Sequence, residues 1–216
     1  MKERLTDIEL NKECRFCNPP DQERIIYQSD NFYVMLSLGP LVEGYLLLIS
    51  KPHIDCCGAF DDKLSSEFHY LKELIKEVLI SNYGSCTFFE HGRAGSCIDF
   101  EDSSLHCHHA HLHCLPVDLR LNDKVRGALR PVFFEKGEFQ NIYRRWNEPY
   151  LYIDDGREAL HFLTKKPRRQ YLRYLVAKQL GNIPKTDWQN HPEWDLIYKA
   201  KEKLQDKFKQ GELLNY

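Results

Sequence analysis

The residues with the clearest chemical potential form one run, His109-Ala110-His111-Leu112-His113-Cys114-Leu115-Pro116. In an extended strand side chains alternate between faces, so the three histidines share one face at intervals of about 7 Å, while Ala110, Leu112 and Cys114 point the other way. One face reads as chemistry and the other as core. Neutral imidazole carries a lone pair on one ring nitrogen and a proton on the other, which suits it to attack phosphorus, to bind a metal or to shuttle a proton. A second cluster is Cys14 and Cys17, a C-x-x-C in a short turn-rich segment that ends in Asn18-Pro19-Pro20. That spacing fits a metal knuckle or a redox pair; the redox reading wants a βαβ context, which is absent. As a zinc site it is half complete and needs two more ligands. Cys56, Cys57, Cys86, Cys97, Cys107 and Cys114 read individually as small buried hydrophobes.

The elements that must position these residues can be traced along the chain. Arg24 to Gln28 and Phe32 to Ser37 are rich in β-branched and aromatic residues, with Ser29-Asp30-Asn31 as the turn of a hairpin. Tyr45 to Ser50 is a continuous apolar strand that runs into Lys51-Pro52-His53. From Asp61 to Asn82 apolar residues recur at Leu64, Phe68, Leu71, Leu74, Ile75, Val78 and Leu79, which predicts a long helix over the sheet. Asp61 or Asp62 can cap its start and Gly84 its end. Cys86 to Glu90 is a further strand. A polar loop, His91 to His108, then brings Gly92, Ser103 and Ser104 toward the histidine face. Beyond Asp118, Leu121 to Arg130 predicts a short helix and Tyr150 to Thr164 a hairpin turning at Asp155-Gly156. Further helices are expected from about Pro167 to Leu180 and from about Pro192 onward.

The chain has 216 residues, 42% of them hydrophobic, with twelve Tyr and twelve Phe, as expected of a folded protein. A formal net charge of −2 gives no global attraction to nucleic acid, so any polyanion site must be local. The basic run Lys165 to Arg169 at a helix start could hold a polyphosphate tail or nucleic acid through Arg168, Arg169 and Arg173, against the plainer reading of a solvated basic face. No apolar run approaches the length of a membrane span. The charged first residues lack a signal-peptide core, so the cytoplasm is the expected compartment, with the thiols reduced.

The run from His109 to Pro116 resembles the H-φ-H-φ-H-φ-φ signature of the histidine-triad superfamily of nucleotide hydrolases and transferases. Other parts follow in the same order: the Cys14/Cys17 knuckle, the hairpin, GYLLLISKPHI in place of the G-h-x-L-φ-I-P-K-x-H segment, and the long helix. The resemblance covers roughly residues 10 to 118, and Glu90-His91-Gly92 with the long chain is more similar to larger bacterial members than to compact ones. It implies an α+β fold with an antiparallel sheet and a covering helix, commonly assembled as a homodimer. A catalytic domain over 1–118 would be followed by a C-terminal α/β extension over 119–216. The resemblance also implies that His111 is the nucleophile and that His113 arranges the phosphate. Where members contain zinc, the corresponding ligands are Cys14, Cys17, His53 and His109, a closed structural set that completes the half-site. Ser37 stands where many members have a ribose-binding Asp, Tyr45 replaces a His after the glycine, and Leu105 to His108 replaces the usual Gly-Gln-Ser-φ approach.

The chemistry expected is cleavage at the α-phosphate of a nucleotide conjugate or dinucleoside polyphosphate. His111 would form a nucleotidyl-histidine, which water or another acceptor then resolves. Amides near Gly92 and the hydroxyls of Ser103 and Ser104 are candidates to meet the phosphate oxygens, with ordinary loop serines as the plainer reading. Two rival classes stand beside it. One is a nucleotide-binding or adaptor protein without turnover; the other is a metal-dependent hydrolase with an open metal position on His111 and His113.

Overall fold

The computed structural model describes residues 14–93, 108–132, 148–164 and 170–213. Among these, eight strands form one antiparallel sheet: β1 (Ile25–Gln28), β2 (Phe32–Leu36), β3 (Leu46–Ser50), β4 (Thr87–Gly92), β5 (His111–Leu115), β6 (Pro131–Val132), β7 (Tyr150–Asp154) and β8 (Ala159–Leu163). Their order across the sheet is β1-β2-β3-β5-β4-β7-β8-β6. The helices are α1 (Asp62–Tyr83), α2 (Leu121–Arg126), α3 (Tyr171–Gln179) and α4 (Trp194–Leu213). This is the α+β architecture expected from the sequence, with an antiparallel sheet and a long covering helix. No helix of the described residues is long and apolar enough to cross a membrane.

The caps of α1 form as its sequence predicts. Asp61 accepts a hydrogen bond from the Leu64 amide at 2.8 Å, satisfying one of the donors that the first turn leaves unpaired. At the other end Gly84 takes φ +85°, a left-handed conformation that glycine adopts without a side-chain clash, and its N–H returns to the Ile80 carbonyl. Phe68, Leu71, Leu74, Ile75 and Leu79 from the apolar stripe lie in the core formed with Val34, Leu48, Leu112 and Cys114 of the sheet. Helix α4 adds Ile197, Ala200, Leu204 and Phe208 to the same core, with the Phe208 ring 5.7 Å from that of Tyr27.

The opposite face of the sheet is also covered. A second core gathers Tyr33, Tyr45, Leu47, Ile49, Phe89, Leu151 and Ile153 from the strands with Leu121 and Val125 of α2 and Leu172, Val176 and Ala177 of α3. The face carrying His111 and His113 is therefore a packed layer in which imidazoles sit among apolar groups. The sequence reading of one chemical and one core face is too simple, because α2 and α3 supply the cover.

The strand that begins at Thr87 runs further than the sequence predicts. His91 and Gly92, expected in a loop, belong to β4 because β7 pairs with it from Phe88 to Gly92, with Glu90 opposite Tyr152, His91 opposite Leu151 and Gly92 opposite Tyr150. A Cβ on Gly92 would fall 2.1 Å from the Tyr150 ring, so packing against that ring requires glycine there. The hairpin at Asp155-Gly156 forms as expected between β7 and β8. Helix α3 starts at Tyr171, and the expected beginning near Pro167 lies outside the described residues.

Candidate functional site

The register of β5 against its neighbours places the triad. Leu47 lies opposite His113 and Ile49 opposite His111 on β3, while Phe89 lies opposite His113 on β4. His109 sits just before the strand, where the Ala110 amide donates to the Ile54 carbonyl at 2.6 Å. Alternation then turns His111 and His113 to the same side, with ring centroids 4.9 Å apart.

At the His109 end, four side chains converge. The donor atoms of Cys14, Cys17, His53 and His109 all lie within 4.8 Å of one another. His109 Nδ1 is 3.4 Å from Cys14 Sγ, 3.7 Å from Cys17 Sγ and 3.3 Å from His53 Nδ1, and His53 Nδ1 is 3.2 Å from Cys17 Sγ. The edges of a tetrahedron built on usual Zn–S and Zn–N bond lengths are about 3.3 to 3.8 Å. The protonation of His109 agrees, because its Nε2 is 2.8 Å from the Ser50 carbonyl oxygen, which can only accept. The proton therefore sits on Nε2, and Nδ1 presents a lone pair to the cluster, the usual arrangement behind a metal-bound imidazole. Two thiols and two imidazole nitrogens aimed at one point fit a tetrahedral thiophilic cation such as zinc.

His111 is oriented by its own strand. Its Nδ1 is 2.6 Å from the His109 carbonyl oxygen, so Nδ1 carries the proton and donates it, leaving the lone pair on Nε2. The side chain is 7% exposed, and the Phe16 ring, placed between the two knuckle cysteines, lies with its centroid 4.7 Å from that of His111. The Tyr33 hydroxyl fixes that segment by donating to the Phe16 carbonyl at 2.6 Å. Burial pushes the His111 pKa down to about 4, opposed by the His109 carbonyl that accepts from the ring. The imidazole is neutral at physiological pH.

His113 stacks on Phe89, with centroids 4.5 Å apart, and its Nδ1 lies 2.8 Å from the Tyr45 hydroxyl. Burial holds its pKa well below the ordinary value, helped by His111, His91 and Arg173 nearby. The His91 ring centroid is 6.2 Å from that of His113. His91 Nε2 accepts from the Leu172 amide at 3.1 Å, so its proton is on Nδ1; burial, with some help from His111, takes its pKa down to about 3. Helix α3 is thereby pinned to β4 beside the triad.

Other expected site residues fall elsewhere. Gly92 lies in β4, packed against Tyr150. Ser103 and Ser104 lie outside the described residues, as do Arg168 and Arg169. Arg173 is 4% exposed and spends its guanidinium on the carbonyls of Gly39, Lys185 and Thr186, with its charged end 5.7 Å from the Tyr45 ring centroid. It braces the loops around the site and is not turned toward a solvent polyanion. Sequence reasoning passed over three participants: Tyr45, noted only as a departure, His91, placed in a loop, and Phe16. The signal for Tyr45 and His91 was alternation, since Tyr45 shares a face with Leu47 and Ile49, and His91 with Phe89.

Residues 2–130 match the family described as proteins similar to the CwfJ C-terminal region, which is itself histidine-triad-like. The chain belongs to this family. No curated protein matches it. Among solved structures, the chain is similar to a hypothetical histidine triad nucleotide-binding protein from Sulfolobus tokodaii. The identity is 13% over 91% of this chain and 93% of that one, with a TM-score of 0.46. It is also similar to a Zn-bound histidine triad family protein from Mycobacterium smegmatis (19% identity, 61% and 88% of the two chains, TM-score 0.37). A third is an HIT family hydrolase from Clostridium thermocellum (17% identity, 48% and 90%, TM-score 0.33). Within the family's span, the triad strand and the Cys14/Cys17 knuckle meet at His109.

Proposed function

We infer that the protein is a nucleotidyl hydrolase or transferase that acts at the α-phosphate of a nucleotide conjugate or dinucleoside polyphosphate, with His111 as nucleophile. The observation that carries this reading is the 2.6 Å contact from His111 Nδ1 to the His109 carbonyl, which commits one nitrogen as donor and leaves the other as a neutral, oriented lone pair. Attack by Nε2 would form an N–P bond while the bond from phosphorus to the leaving oxygen breaks, its electron pair departing with that oxygen. Water or another hydroxyl acceptor then attacks phosphorus, the N–P bond breaks, and the acceptor's proton passes to solvent. A nucleophile that is neutral without having to shed a proton needs no partner base for the first step.

Cys14, Cys17, His53 and His109 would hold zinc, which with four protein ligands supplies a cross-link between the N-terminal segment and the triad strand. The residues themselves do the rest. The His109 carbonyl sets the His111 tautomer, and the apolar layer from Phe16 and Phe89 limits water around the two rings.

A second reading, a nucleotide-binding protein without turnover, is favoured by one observation: the Phe16 ring rests against His111, which is 7% exposed. A panel of dinucleoside polyphosphates, nucleoside phosphoramidates, nucleotide sugars and adenylylated compounds, with products identified by mass, separates the two. Turnover that releases a nucleoside monophosphate and is lost in His111→Asn supports the enzyme. Tight binding without product in the wild type supports the second reading.

A further inference from the structure

The two histidines of the site have their ring nitrogens engaged by different kinds of group. His111 Nδ1 faces a carbonyl oxygen, an acceptor without a proton to give. His113 Nδ1 faces the Tyr45 hydroxyl at 2.8 Å, and a phenol is both a stronger acid than a neutral imidazole N–H and a weaker acceptor than an imidazole lone pair. The favoured arrangement of that pair is O–H donating to nitrogen. Arg173, its guanidinium centred 5.7 Å from the Tyr45 ring, adds positive charge that makes the hydroxyl a better donor. Tyr45 is fully buried at 0% exposure immediately before β3, two residues from Leu47 and on the same face, while Phe89 stacks on the other ring of the pair and restrains it.

We propose that Tyr45 is a positioning residue whose hydroxyl donates to His113 Nδ1, holding the His113 proton on Nε2 so that this nitrogen is a hydrogen-bond donor to a phosphoryl oxygen. Adjacent rings then carry opposite tautomers. His111 offers a lone pair from Nε2, and His113 offers a proton from Nε2. A nucleophile and a donor are thereby obtained from two neighbouring imidazoles. This rests on the reading of the site as a nucleotidyl transfer centre, and the charged and titratable groups facing His113 are Tyr45 just before β3, His91 from β4, His111 from β5 and Arg173 from α3.

The test is long-range proton–nitrogen NMR on the full-length, metal-loaded protein with 15N-labelled histidine, His113 being assigned by its loss in His113→Asn. The wild type should show His113 protonated at Nε2 and bare at Nδ1. In Tyr45→Phe, which removes one oxygen and keeps the ring, His113 should move to a mixture of tautomers while thermal unfolding stays close to wild type. Turnover on the best substrate of the panel should fall about 3- to 10-fold in kcat, the size of one lost hydrogen bond, with KM changed by less than about twofold. A wild-type His113 protonated at Nδ1 would overturn the proposal, as would an unchanged tautomer in Tyr45→Phe or a changed tautomer with unchanged kcat. A wild type without turnover on any compound would overturn the nucleotidyl transfer reading, and the NMR comparison alone would then decide whether Tyr45 controls the His113 proton.

Discussion

The two faces of the sheet bury comparable layers, and in each of them burial pushes ionisable groups toward their uncharged forms. Under α1 and α4 the layer is mostly aliphatic and aromatic, and it holds a carboxyl, Glu90, 1% exposed, as well as His161 against Tyr150 and Tyr152, which burial and Lys72 take down to about 3. Burial pushes Glu90 up to about 7, against the lowering effect of hydrogen bonds from the Cys57 amide and the Tyr150 hydroxyl, both at 2.8 Å. On the other face, under α2 and α3, burial pushes His111 and His91 down to about 4 and 3. Desolvation opposes charge in both layers, raising the acid and lowering the bases. The difference lies in what the neutral group can do. A protonated carboxyl hydrogen-bonded within a core is a structural tie, whereas a neutral imidazole with one nitrogen occupied keeps a reactive lone pair.

The comparison is broken most severely by removing the link between the knuckle and the His109 end of the strand. In Cys14→Ala, or after strong chelation, thermal unfolding should shift far downward, because a four-ligand structural zinc contributes folding free energy on the order of 10 kcal/mol. Elemental analysis should give about one zinc per wild-type chain and little in the variant. Stoichiometric zinc retained in a Cys14→Ala Cys17→Ala variant and lost with His111 would favour the catalytic-metal rival instead.

The next two changes separate the faces. His111→Asn should lower turnover by about 10³-fold or more while leaving folding, zinc content and nucleotide binding near wild type, since it removes the proposed nucleophile and little packing. Leu112→Ala, one residue along and fully buried on the helix side, should do the reverse. It leaves a cavity under α1 and should cost about 2–5 kcal/mol in denaturant unfolding, with the Michaelis parameters little changed at temperatures where the protein stays folded. Equal losses of stability in both variants would contradict the division of labour between the faces.

The smallest effect concerns Glu90. Its folded pKa, about 7, exceeds the ordinary value of 4.5, so between those pH values the folded state binds more protons than the unfolded one. Stability associated with this group is therefore greatest below about pH 4.5 and falls as pH rises to about 7, by about 3 kcal/mol in all. The stability difference between wild type and Glu90→Gln, from urea unfolding at pH 4.5 to 8, should follow that slope and level off above pH 7. Taking the difference removes the opposite slope of His91 and His161, whose lowered pKa values make stability fall as pH drops below about 6.5. A pH-independent difference would show that Glu90 is ionised throughout.

The local elements were legible in the sequence because their signals are local. The hairpin of β1 and β2, the caps of α1 and the turn at Asp155-Gly156 each depend on residues within a few positions. The pairing of β4 with β7 was not legible, since Phe88 and Asp154 meet across a long stretch of chain and neither residue carries a mark of the other. That missing pairing hid the rest: with β7 unplaced, Gly92 read as a loop glycine and the cover that α3 lays over the histidines could not be foreseen. Arg173 was misread for a related reason. In sequence it adjoins a basic run, whereas in the fold its guanidinium satisfies three backbone carbonyls. The donor set of Cys14, Cys17, His53 and His109 followed from the family resemblance, and the structure brings those four side chains together. The tautomers of His111 and His113 depend on a carbonyl and a hydroxyl that only the sheet register brings into place.

The central claim is that His111 becomes covalently bonded to phosphorus during turnover. It is tested most directly by rapid acid-free quenching of the wild-type protein with substrate labelled at the α-phosphate, followed by proteolysis and peptide mapping. Label is expected on the peptide containing His109 to Cys114, stable in base, released by acid as a phosphoramidate is, and absent in His111→Asn. Full turnover in His111→Asn, or inversion of configuration at an isotopically chiral α-phosphorus, which marks a single direct displacement by water where two displacements would give retention, would contradict it.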